Sequence, residues 1–263
     1  MAPPLFSVQV IGLLFAAGCF SGVLSGLLGL GGMSVYIPVL LWIFQPLYLR
    51  HQDLNGAVLA NAFFVVVLVS LVSSVAHHRQ SSIQYAKVPP LAMGAAMGAV
   101  AGFVLSQQLG LLAFMDVLFG AYLLVLAGVS WFQPLNGASG YGSNARFLGV
   151  GFLSGALGGF VGFNGNTVSI PLLRKCGLSL RHSMATGNLA GLVVSMVLLY
   201  LVVSKIGLPQ ISPPVCAALA LGGCLGSPLG ARINSRITQS RLNLGFSLAC
   251  IGAGLTIIAM TVQ

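Results

Sequence analysis

The chain has 263 residues, 57% of them hydrophobic and only 5% charged, with a mean hydropathy of +1.00. An ordinary soluble domain is roughly 25% charged, and 11 Lys plus Arg with 2 Asp plus Glu cannot cover the surface of a globule this large. A water-soluble fold is therefore excluded, and lipid is the solvent for most of the surface. The net charge of +9 is spread along the chain without a patch or arm, so it reads as membrane topology and not as a nucleic-acid footprint.

Apolar runs fall at about 8 to 30, 33 to 47, 54 to 77, 88 to 108 and 112 to 132, and again at about 146 to 163, 167 to 177, 184 to 206, 214 to 232 and 243 to 262. No Lys or Arg precedes the first run, so it is read as a span and not as a cleaved signal peptide. Eight of the ten are long enough, at roughly 17 to 25 residues, to cross the hydrocarbon as helices. The second and seventh are too short. Each follows a glycine-rich break and carries an early proline, Pro38 or Pro171, which predicts partial, broken or re-entrant helices.

Loop charge sets the orientation, because Lys and Arg collect on the cytoplasmic side of short loops. Alternating segments place Arg79, Lys87, Arg146, Arg174, Lys175, Arg181, Arg232, Arg236 and Arg241 on one side and only Arg50 and Lys205 on the other. Both termini are therefore expected outside the cytoplasm.

The chain also repeats itself. GVLSGLLGLGGMSVYIPVL from Gly22 is matched by GFLSGALGGFVGFNGNTVSIPLL from Gly151, with four extra residues in the second copy, and PPLAMGAAMGAVAGFVL from Pro89 by PPVCAALALGGCLGSPL from Pro213. Between these blocks Asn61 corresponds to Asn188. The division is residues 1–135 as a first transmembrane repeat, 136–144 as a cytoplasmic linker and 145–263 as a second repeat. With an odd number of crossings in each half, the second enters from the opposite face. The predicted fold is thus an all-α polytopic membrane protein of two inverted repeats of about five segments each, a design in which interrupted helices mark the binding site of secondary transporters.

The breaks carry the chemistry. At Gly29, Gly31 and Gly32, and at Asn164, Gly165 and Asn166, the backbone is free to leave helical geometry, and unpaired peptide groups in hydrocarbon persist only where they face protein or a water-filled cavity. A cavity is therefore expected, with the N-termini of two partial helices aimed at it in a manner suited to anions. Asn61 and Asn188 could donate amide N–H to an oxyanion without adding charge, and Thr186, Asn164, Asn166 and Ser169 could add donors. An interhelical hydrogen bond is the alternative role for the two equivalent asparagines. Gly98, Gly102, Gly222 and Gly226, with Ser25 and Ser154, read as helix-packing positions.

Other chemistry lacks its parts. Asp53 and Asp116 are the only acidic residues, which leaves no buried carboxylate relay. His77 and His78 close a long helix beside Arg79 and read as a solvated helix end; His51 and His182 suggest no chemistry. Five cysteines without a CxxC pair read as small packing residues, not as a zinc site or disulfide framework. No catalytic triad, HExxH motif or P-loop is present, so no enzyme, cofactor or metal is expected.

The two glycine-break motifs, each followed by an Asn-bearing helix, resemble the duplicated signature of the TauE/SafE sulfite exporter family, over nearly the whole chain from about Gly12. The first copy reads Gly31, Gly32, Met33 where the family pattern often has a third glycine, and the second copy is longer through Phe163, Asn164, Gly165 and Asn166. The resemblance implies a plasma-membrane transporter in a bacterium or archaeon, moving a small sulfur-containing anion such as sulfite, thiosulfate or an organosulfonate, usually outward. A passive anion channel and a non-transporting scaffold subunit remain open at this point, as does a homodimer.

Overall fold

The computed structural model describes residues 8–29, 32–47, 51–80, 82–110, 115–132, 142–207 and 210–262. Gly31, Arg50 and linker residues 136–141 lie outside them. The described residues form helices α1 (Val8–Leu28), α2 (Met33–Phe44), α3 (His51–Arg79), α4 (Val88–Gln108), α5 (Met115–Phe132), α6 (Asn144–Val161), α7 (Asn166–Lys175), α8 (Leu180–Ile206), α9 (Pro213–Arg236) and α10 (Gln239–Val262). No strand occurs among them. Among the described residues six helices are long and apolar enough to cross a membrane, where eight were expected; α5 and α6, with 18 residues each, are not among the six. The partial helices are as the sequence suggests. α2 has 12 residues and α7 has 10, which at 1.5 Å per residue is about 15 to 18 Å against about 30 Å of hydrocarbon.

Packing treats the two halves as counterparts. α1 lies along α9 as α4 lies along α6; α3 meets α8, and α5 meets α10; α3 touches α9 as α4 touches α8. Exchanging the halves leaves this set of neighbours unchanged. Both long seams are parallel and bring backbones together, because glycine removes the side chain that would hold them apart. A Cβ on Gly22 would sit 2.2 Å from the Gly223 carbonyl oxygen, and one on Gly98 would sit 2.1 Å from that of Phe152. Gly222, Gly226 and Gly102 make equivalent approaches, as expected of packing positions.

The basic residues gather at one end of the bundle. There Lys87 Nζ donates to Asn144 Oδ1 at 3.1 Å and lies 5.2 Å from the Phe147 ring centre. Gly142 N–H donates to the Cys176 carbonyl at 3.0 Å, Arg181 donates to the Asn234 and Ile237 carbonyls at 3.0 and 3.2 Å, and Arg174 donates to Asn243 Oδ1 at 3.3 Å. Lys205 is at the opposite end, donating to Gln107 Oε1 at 3.4 Å. α1 runs toward the basic end and its counterpart α6 runs away from it, a sense of travel compatible with an inverted repeat. All five cysteines are free thiols.

Because backbone oxygen, not a pliable side chain, opposes each seam glycine, Gly22→Ala and Gly98→Ala are each expected to destabilise by about 1–3 kcal/mol through overpacking. Thermal unfolding of the purified variants checks this, with Gly12→Ala, whose Cβ would meet nothing within 4 Å, as the neutral comparison.

Candidate functional site

Both breaks depart from helical geometry at glycines with positive φ: Gly29 at 69° and Gly32 at 79° in the first, Gly162 at 83° and Gly165 at 69° in the second. A helix that stops inside the bilayer leaves its last carbonyls without partners, and here side chains supply them. Asn166 Nδ2 donates to the Gly29 carbonyl at 2.9 Å, Ser21 Oγ to that of Gly32 at 3.1 Å, and Asn234 Nδ2 to that of Leu27. Asn166 and Asn234 belong to the second half, so the end of α1 is completed by residues more than a hundred positions away. The second break folds on itself: the Gly162 and Phe163 N–H groups both donate to the Gly158 carbonyl at 2.8 Å. Its extra residues are held by Phe163, whose ring stacks on Tyr122 of α5 at 4.5 Å between centres.

The breaks therefore meet, and a ring of polar residues lies around the junction. From Gly29 it passes through Asn166 to α8, where Gly187 and Gly191 face the Asn166 amide so closely that a Cβ on either would lie 2.8 to 3.0 Å from Ser169 Oγ or the Asn166 amide atoms. On α8, Asn188 Nδ2 donates to the Ser70 carbonyl at 3.3 Å and to Ser74 Oγ at 3.0 Å on α3. Ser70, Ser73, Ser74 and His77 share one face of α3 at helical spacing, and the His77 ring faces the Gly26 backbone of α1 without meeting hydrogen-bond geometry. Thr186 accepts from the Gln84 N–H at 3.1 Å just beyond. Asn164 and Asn166 are 1% exposed, and Asn188, Thr186 and His77 are 0%.

Many polar atoms of this ring have no hydrogen-bond partner among the described residues: Asn164 Nδ2, Asn166 Oδ1, Asn188 Oδ1, the hydroxyls of Ser25, Ser70 and Ser73, and both ring nitrogens of His77. Each unsatisfied buried group costs roughly 1–3 kcal/mol. Concentrating them at one junction is expensive for packing alone and suits a polar guest. Open donors and acceptors are both present, which fits an oxyanion that also brings a hydroxyl or water.

The expected cavity takes a different form here: the breaks close on one another, because their freed carbonyls find intramolecular donors. Two apolar grooves, of about 640 and 430 Å³, open elsewhere, the first beside Trp42, Pro38 and Leu248 and the second beside Tyr200, Phe64 and Met196. Neither is lined by a break residue.

Of the residues singled out by sequence, Gly29, Asn164, Gly165, Asn166, Thr186 and Asn188 come together around this junction, and Gly32 adjoins it through Ser21. Asn61 does not join them. It lies 9 to 13 residues before Ser70 and Ser74 on α3, about 14 to 20 Å along the axis. Its amide is fully used: Nδ2 donates to the Ala57 and Gln210 carbonyls at 2.7 and 2.9 Å, and Oδ1 accepts from Ser212 N–H at 2.8 Å and Cys216 Sγ at 3.1 Å. Ser154 Oγ donates to the Gly151 carbonyl of its own helix at 2.9 Å, a local contact in keeping with a packing role. The solvated helix end expected at His77 and His78 holds only for His78, which is exposed and pairs with the Tyr85 hydroxyl at 2.7 Å. His77 is turned inward because it continues the Ser70, Ser73, Ser74 stripe, a spacing visible in the sequence and passed over. Asn234, the donor to Leu27, was likewise missed; a lone amide in an apolar helix was its signal. Asn61→Leu removes the acceptor of the Ser212 N–H at the start of α9 and is expected to cost about 1–3 kcal/mol of stability, read as a lowered unfolding temperature with or without anions present.

Comparison with known proteins adds an independent line. A "probable membrane transporter protein" of Methanocaldococcus jannaschii is 24% identical, the alignment covering 89% of this chain and 90% of the relative. One from Haemophilus influenzae is 23% identical over 89% of this chain and 92% of its own. The probable membrane transporter protein MamO of Paramagnetospirillum magneticum is 24% identical over 94% of this chain but only 43% of its own length. No solved structure matches the chain. The sequence profile described as "Sulfite exporter TauE/SafE" matches residues 14–257; with the duplicated glycine breaks packed against each other inside an apolar helical bundle, the chain belongs to the TauE/SafE sulfite exporter family and is a membrane transporter.

Proposed function

We propose that the protein is a secondary transporter exporting a small sulfur-containing oxyanion, such as sulfite, thiosulfate or an organosulfonate, by alternating access between two inverted halves. The observation that carries this reading is the buried ring joining the two breaks, with its unpartnered amide, hydroxyl and imidazole atoms. In the closed conformation Asn166 holds Gly29. Opening frees the Asn166 Nδ2 donor from Gly29 and, where α3 parts from α8, the Asn188 Nδ2 donor from Ser70 and Ser74; together with Asn164 Nδ2 they can hold an oxyanion by neutral hydrogen bonds, which bind reversibly because no buried ion pair must be broken on release. Polar groups facing one another across two interrupted helices are the expected form of such a site. Asn61 serves on this reading as a clasp between α3 and the start of α9.

The gathering of nine basic residues at one end supports an orientation with that end in the cytoplasm and both termini outside. A phosphatase that works only outside the cytoplasm, fused after Gln263, is expected to be active, and a cytoplasmic reporter at the same position inactive.

The cargo is tested by thermal unfolding of the purified protein with sulfite, thiosulfate, sulfoacetate and sulfate in turn. At least one is expected to raise the unfolding temperature, and Asn188→Leu to abolish that rise and reduce anion flux in proteoliposomes by at least about tenfold, the loss of roughly 1.4 kcal/mol of binding. No stabilisation by any of the four, or unaltered flux in Asn188→Leu, would overturn the assignment.

A further inference from the structure

His77 is the one ring member whose charge can change near neutral pH. It is 0% exposed, has no hydrogen-bond partner on either ring nitrogen, and stands one helical turn from Ser73 and Ser74, the latter bonded to Asn188. We infer that His77 is the proton-coupling residue of the transporter, binding a proton as the anion enters the ring and giving it up as the anion leaves. This rests on the oxyanion reading above and adds the coupling ion to it.

The argument is one of missing counter-charge. A protonated imidazole buried here needs an anion beside it, because an unpaired charge away from water is strongly disfavoured. The protein supplies none. Asp53 and Asp116 stand in the first turns of α3 and α5, at the end of the bundle away from the basic residues, and Asp53 is 24 residues from His77, about 36 Å along α3. The elements packed against α3 are α1, α2, α8 and α9. α1 brings Cys19 and α2 brings Tyr36 as their titratable groups. From α8, Arg181 is spent on the Asn234 and Ile237 carbonyls, His182 is paired with Ser179, and Tyr200 and Lys205 are exposed. From α9, Cys216 is turned to Asn61, Cys224 is partly buried as a neutral thiol, and Arg232 and Arg236 are exposed. On α3 itself His78 and Arg79 are exposed. The available partner for a charged His77 is therefore the cargo.

Coupling of this kind is reciprocal: the anion raises the proton affinity of the ring, and the proton raises its anion affinity by the same factor. A monovalent anion would then cross with its proton as a neutral unit, and its flux would be insensitive to membrane voltage.

The test is calorimetric titration of the full-length protein with thiosulfate, which does not itself titrate near neutrality, between pH 6 and 8 in buffers of different ionisation heat. The wild type is expected to take up close to one proton per anion at the upper end of this range, with affinity falling by up to about tenfold per pH unit. His77→Gln is expected to bind without proton uptake and with a flat pH profile, while His78→Gln keeps the wild-type slope. Wild-type binding without proton uptake, a slope retained in His77→Gln, or a slope lost in His78→Gln would each overturn the proposal, and the wild-type measurement decides even if His77→Gln fails to fold. Absence of any thiosulfate binding at pH 6 alongside binding of another of the four anions moves the same experiment to that anion, with its own ionisation subtracted; no binding of any of the four overturns the oxyanion reading, and the coupling with it.

Discussion

A peptide group freed from its helix inside a bilayer has no water to bond to, and every unusual feature of this molecule is an answer to that constraint. Glycine lets α1 and α6 stop short, and stopping leaves carbonyls open. The side chains that close those of α1 are Asn166 and Asn234, both from the other half of the chain. The first half is therefore incomplete without the second, and the place where they complete each other is lined by buried Asn, Ser and His side chains. Had leucine stood at 166, the Gly29 carbonyl would have had no partner, and the break itself would be disfavoured.

The same logic separates two asparagines that occupy equivalent positions in the repeat. Asn61 meets a connection between helices whose backbone offers both a carbonyl, at Gln210, and an N–H, at Ser212, and its amide is consumed by them. Asn188 meets an intact helix, α3, whose carbonyls already serve their own ladder, so only its donor side is engaged and its oxygen is left over. Of these two asparagines in matching sequence blocks, local surroundings give one a structural duty and leave the other with spare capacity.

Much of this was legible from residues alone. The apolar runs, the shortness of the second and seventh segments, the prolines within them and the left-handed glycines all follow from local chemistry, which is why α2 and α7 lie where the pattern puts them. The clustering of Arg and Lys in alternate loops likewise anticipates which ends meet. What the sequence could not convey is which polar side chains would be spent on each other, since that depends on contacts across more than a hundred residues: Asn166 with Gly29, Asn61 with Gln210. The inward turn of His77 is an intermediate case. Its spacing from Ser70, Ser73 and Ser74 was readable, but its position next to Arg79 and the helix end argued for water.

The two glycine seams have a further implication for motion. Where main chain lies directly on main chain, as along α1 with α9 and α4 with α6, no layer of side chains is available to re-sort, and sliding would drive oxygen into carbon. Those pairs behave as stiff struts, each built from one helix of the N-terminal half and one of the C-terminal half. On the alternating-access reading proposed above, the mobile bodies are then composite and do not coincide with the N- and C-terminal halves, and the displacement that exposes the ring to one side or the other falls to the side-chain contacts between α3 and α8.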